Sequence, residues 1–83
     1  MSRFYLNQQI PNGIIEDPDG TEAVDLTAAR HEAILAARQL LANAILTGVA
    51  PLGSAFQITN EAGQILLSVP FRDALPFGFI NTD

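Results

Sequence analysis

Apolar and polar residues alternate with a period of two over Arg3–Gln9 (RFYLNQQ), where Phe4 and Leu6 share one face and Tyr5 and Asn7 the other. That is the spacing of a half-buried strand. Pro11-Asn12-Gly13 follows as a turn, because proline presets φ and Asn-Gly accepts positive φ. Gly13–Asp17 returns as a second short strand, so residues 3–17 predict a hairpin. Pro18-Asp19-Gly20 is another turn, and Thr21–Val24 is extended. The period then changes. From Leu26 to Thr47 apolar residues recur at helical spacing, with Leu26, Ala29, Ala33, Ala36, Ala37, Leu40 and Ala44 on one arc and Ile34, Leu41 and Ile45 beside it. Alanine and leucine are strong helix formers. Asp25 stands at the N-cap, and Gly48 supplies the left-handed residue at the other end. Leu35 and Leu46 break the pattern, since they fall on the opposite face among Arg38, Gln39 and Asn43.

A connector at 49–54 leads to a second hairpin, with Phe56 and Ile58 on the outgoing strand and a turn at Asn60-Glu61-Ala62-Gly63. Gly63 takes the bulge position of that turn. The return strand carries Ile65, Leu67, Val69 and Phe71 on one face, and Pro70 confines it to an edge or marks its end. The order strand-strand-helix-strand-strand predicts an α+β fold, one helix packed on a four-stranded antiparallel sheet. The inner face is expected to hold Phe4, Leu6, Phe56, Ile58, Ile65, Leu67 and Val69, and the outer face Tyr5, Asn7, Gln57, Thr59, Leu66 and Ser68. Residues 1–73 form one domain, and 74–83 (ALPFGFINTD) form an apolar tail.

Composition adds a reason to expect self-association. The chain has 83 residues and no cysteine, so neither a disulfide nor a thiolate zinc site can staple it. A domain this small buries only about 60–65% of its unfolded surface. Charged residues are 16% of the chain, against about 25% in ordinary domains. Few charges must therefore cover a large surface, and some apolar surface is left for a partner. A homodimer is expected, with Leu35, Leu46, Leu75, Phe77, Phe79 and Ile80 at its interface. The net charge of −5, with four arginines and no lysine, argues against nucleic acid and against an anionic membrane surface. No signal-peptide pattern and no apolar run of membrane-spanning length is present, which predicts a cytoplasmic protein.

Candidate chemistry is sparse. His31, the one histidine, has no nucleophile at a recognisable spacing, so no catalytic residue and no enzyme activity are expected. EDPDGTEAVD, residues 16–25, crowds carboxylates around Gly20. A calcium loop of EF-hand type needs its glycine at position 6 and a glutamate at position 12. Counted from Asp17, the glycine comes two positions early and Ala28 stands at position 12. The stretch is therefore a turn that starts a helix, with no metal and no cofactor. Arg30 falls inside the apolar arc and is expected to be structural, pairing with Asp17 or Asp25.

The segments RFYL, IIEDPDG, VDLTAARHEAILAARQLL and FQITNEAGQILLSVPF together resemble the domain-of-unknown-function 6894 family, small and mostly alphaproteobacterial proteins. The sharpest match is DGTEAVDLTAARHEA, with Asp19, Gly20, Asp25, Leu26, Ala29, Arg30 and Ala33 at the family's positions; Glu61 and Gly63 are the second. The resemblance covers roughly residues 2–72 and implies a small cytoplasmic α+β domain without naming an activity. A vaguer similarity, in element order alone, is to HicB-type antitoxins, which leaves a regulatory partner of another protein as the alternative to a self-associating module.

Overall fold

In the computed structural model, which describes residues 1–48 and 53–75, β1 (Ser2–Ile10) is the strand around which the sheet is assembled. Its C-terminal end pairs antiparallel with β2 (Gly13–Ile15) and its N-terminal end with β3 (Thr21–Ala23). β4 (Ala55–Thr59) pairs with it over Tyr5–Gln9, and β5 (Ile65–Pro70) pairs with β4. The strand order is β2-β1-β4-β5, with β3 also on β1. One helix, α1 (Leu26–Thr47), packs against this sheet. The α+β class and the single helix are as the patterning predicts, but the sheet has five strands where four were expected. The return of the first hairpin is broken. Gln8 pairs with Ile15 and Phe4 with Thr21, so three residues of β1 (5–7) stand opposite five of the return (16–20). Two residues too many cannot stay in one ladder, and the DPDG segment bulges out between β2 and β3.

The helix has the predicted bounds. Asp25 is extended (φ −159°, ψ 179°) and its carboxylate accepts the Ala28 N–H at 2.9 Å, while Gly48 closes the helix in the left-handed region. Ala29, Ala33 and Ala37 have no exposed surface at all. Methyl side chains let the helix axis lie close to the sheet, where Phe4, Phe56, Ile58 and Val69 meet it. Leu40 and Ile45, expected on the buried arc, are exposed. A helix of 22 residues is about 33 Å long. The five and six residues of β4 and β5 span only about 17–20 Å, so the helix outruns its support.

The second hairpin departs from strict alternation. Ile58 pairs with Leu67 but Thr59 pairs with Ile65, so Leu66 is the extra residue of a bulge. Ile65, assigned to the inner face by period two, therefore shares the outer face with Thr59 and is more than half exposed. Phe71 does not extend the strand. It opens a short 3-10 helix, Phe71–Ala74, which Pro70 precedes and which packs on α1. The Phe71 N–H reaches back to the Ser54 carbonyl at 2.9 Å, and its ring lies 5.0 Å from that of Phe56. Arg38 Nε donates to the Ala74 carbonyl at 2.9 Å. Ala74 is fully buried and Leu75 packs against the core, so packed structure runs past the domain boundary expected at 73.

Among the described residues Phe71 is the largest side chain with no exposed surface. Phe71→Ala is expected to destabilise the fold by about 3–5 kcal/mol, the range for truncating a core phenylalanine. Urea denaturation followed by circular dichroism measures it, and a loss under about 1 kcal/mol would remove Phe71 from the core.

Candidate functional site

The carboxylate-rich stretch folds around one side chain. Asp17 sits where the return strand leaves its ladder, and Leu6, opposite the gap, has no strand partner on that side. The Leu6 N–H donates instead to Asp17 Oδ2 at 3.2 Å. Asp17 Oδ1 accepts the N–H groups of Asp19 and Gly20 at 3.3 and 3.1 Å, an Asx turn. The Asp17 N–H in turn donates to Asn7 Oδ1 at 2.9 Å. One carboxylate thus accepts from three backbone N–H groups and replaces the ladder bond that the bulge removes.

Gly20 is required at the exit of this turn. Its φ is +71°, and a Cβ there would stand 2.9 Å from the Phe4 carbonyl oxygen and 3.0 Å from Arg3 Cγ and the Tyr5 ring. Arg3 closes the loop from outside. Its guanidinium donates to the Asp19 carbonyl at 2.7 Å and to Glu22 Oε1 at 2.8 Å. That is the one ion pair among the described residues. Sequence reasoning gave the role to Arg30, which is exposed and makes no hydrogen bond or ion pair to Asp17 or Asp25. The wheel angle of Arg30 is that of the core, but it lies in the first turns, where Leu26 is itself only half-buried. The signal for Arg3 was available: it stands directly opposite Glu22 across β1 and β3. Arg38, the other cation with a structural contact, carried no sequence signal, since its acceptor is a backbone carbonyl 36 residues away.

Beside this turn lies an open cleft of about 370 Å³ on the outer side of the sheet, between the DPDG segment and the β4–β5 turn. Tyr5 and Thr59 form its floor, Glu16 and Asp17 one wall and Glu61 the other. Its lining has acids and no cation. The amides are committed to their own loops: Asn7 holds Asp17, and Asn60 Oδ1 accepts the N–H groups of Ala62 and Gln64, both at 3.0 Å. Gly63 has φ +84° and completes that turn. Among the described residues no three His, Asp or Glu side chains converge as metal ligands do. His31 is exposed on α1, away from this lining. The expected interface residues are scattered. Leu35 and Leu46 are exposed on α1, Leu75 belongs to the core, and Phe77, Phe79 and Ile80 lie outside the described residues. No helix among the described residues is long and apolar enough to cross a membrane.

Two outcomes follow from the Asp17 network. Asp17→Ala strands three N–H groups and is expected to cost about 1.5–3 kcal/mol, the range for hydrogen bonds to a charged group. Chemical denaturation against the wild type measures the loss. A chelator, by contrast, is expected to leave the melting temperature unchanged, because Asp17 already accepts three N–H groups and no three His, Asp or Glu side chains converge among the described residues. A fall with EDTA that calcium restores would overturn the turn-only account of DPDG.

A family model described as a domain of unknown function (DUF6894) matches residues 3–72. No curated protein and no solved structure matches the chain. Apart from Ser2, the matched span takes in the five described strands, the Asp17 turn, α1 and the first residues of the 3-10 helix. With so much of its length matched, the chain belongs to the family of domains of unknown function DUF6894.

Proposed function

We propose that the protein is a non-enzymatic interaction module of the cytoplasm that acts as a self-associating unit. The observation that supports this is apolar surface left uncovered. Ile14, Ile15, Ile45, Leu46 and Ile65 are all more than half exposed, and Leu46 reaches 86%. A domain with so few charges has little else to present to water, and exposed apolar side chains on β2, α1 and β5 are what a second copy would cover in part. Leu35 and Leu46, three helical turns apart on the far side of α1, are part of that surface. Burying one such side chain against a second copy contributes about 1.5–3 kcal/mol. The outer cleft, acidic and without a nucleophile–base pair among its lining residues, favours no reaction.

Light scattering after size exclusion is expected to give twice the chain mass at micromolar concentration. A single-chain mass at every concentration would overturn the proposal. Removal of residues 76–83 leaves Ala74 and Leu75 in the core, so it is expected to lower the assembled mass or the solubility with little change in melting temperature. An unchanged mass would remove Phe77, Phe79 and Ile80 from the interface.

A further inference from the structure

The outer cleft holds polar groups that the fold leaves unused. Thr59 lines it and is only 6% exposed. Tyr5 and Thr59 stand directly opposite each other on β1 and β4, so both side chains leave the sheet on the face away from α1. Among the described residues no fully buried side-chain oxygen lacks a partner, so the Thr59 hydroxyl, which makes no hydrogen bond, keeps its open side toward the cleft. Glu16 and Glu61, on opposite walls, are exposed and form no ion pair.

The charge of this lining is unbalanced. Glu16, Asp17 and Glu61 are all negative, and none of the four arginines lines the cleft. Arg3 is held by the Asp19 carbonyl and Glu22, and Arg38 by the Ala74 carbonyl. Arg30 lies on α1, and Arg72 on the 3-10 helix that packs against α1. What the cleft lacks is a cation from outside.

A bare metal ion does not fit. Calcium needs about six to eight oxygen ligands, and no three acids converge among the described residues. The cleft of about 370 Å³ is instead of small-molecule size. Tyr5 on its floor offers an aromatic ring, which attracts organic cations over its face. A guanidinium suits the arrangement better than an ammonium. It is flat and weakly hydrated, and it carries N–H groups on opposite edges. It can stack on a ring while donating to carboxylates on either side.

We propose that the outer cleft binds a guanidinium cation. Tyr5 stacks on its face, Glu16 and Glu61 accept from its edges, and the Thr59 hydroxyl accepts a further N–H. A free alkylguanidine and an arginine side chain of another protein offer the same group. The site is independent of the self-association proposed above and uses none of the side chains named for it.

The test is a titration of the full chain followed by backbone amide NMR shifts, with ethylguanidinium, n-butylammonium and a glycine-flanked arginine peptide as probes. Both guanidinium probes are expected to give saturable millimolar shifts at Thr59, Asn60 and Gly63, with n-butylammonium weaker. Equal affinity for the two guanidinium probes assigns the site to a free small molecule, and tighter binding of the peptide assigns it to a protein chain; either supports the site. Glu16→Gln and Glu61→Gln are each expected to weaken binding about two- to fivefold, as for an exposed ion pair. Tyr5→Leu is expected to weaken it about as much, whereas Tyr5→Phe retains it. Thr59→Val is expected to weaken it too. Glu32→Gln makes the same charge change on α1 and is expected to leave affinity unchanged. A loss with Glu32→Gln equal to that with Glu16→Gln and Glu61→Gln would mean general attraction to an acidic protein and would overturn the site. The absence of saturable shifts in the wild type overturns it as well, and n-butylammonium binding as tightly as ethylguanidinium overturns the assignment to guanidinium.

Discussion

The Asp17 carboxylate holds three backbone N–H groups at the point where the return strand has two residues more than β1 can match. Without an acceptor there, Leu6 would leave a donor unpaired in the middle of the central strand, at a position packed against the core. With it, the sheet survives a bulge that would otherwise end the pairing. The same excess lets β3 resume on β1, places Ala23 in the core and aims the chain at Asp25. The start of α1, and so which of its faces meets the sheet, follows from how this turn is closed. Gly20 and Arg3 serve that closure, one by leaving space and the other by bridging Asp19 and Glu22.

Most of the fold was legible because two periods are written plainly in the chain. Period two marks RFYLNQQ, period 3.6 marks Leu26–Thr47, and Asp25 and Gly48 punctuate the helix where the structure begins and ends it. The misplacements came from features with no period. Ile65 was put on the wrong face because a bulge at Leu66 shifts alternation by one, and nothing in ILLSV distinguishes a bulged from a regular strand. Leu40 and Ile45 satisfied the helical wheel, but the wheel has no information on how far the sheet extends beneath it.

The candidate site was legible as a turn and illegible as a network. DPDG announces its own geometry through proline and glycine, whereas the reach of Asp17 back to Leu6 depends on a register that the sequence does not print. Arg30 shows the limit of angular reasoning. Its angle is shared with the core, yet it is exposed while its neighbour Ala29 is fully buried, so the angle alone does not settle which side chain the sheet covers. Arg3 is the opposite case, a strand residue whose acid partner becomes obvious once β3 is aligned with β1.

Charge is distributed so that the two sheet edges cannot be confused. Five acids fall between residues 16 and 25, and only Arg3 and Arg30 lie near them in the folded chain or in sequence, so the edge made of β2 and β3 is negative. Two such edges repel when copies meet, and the repulsion grows as salt is lowered. β5 carries no charge and therefore has no such barrier. The turn that Asp17 builds thus closes its edge to foreign strands with acids, a proline and a bulge, whereas β5, which has no charge, is blunted by its own bulge at Leu66 and by Pro70.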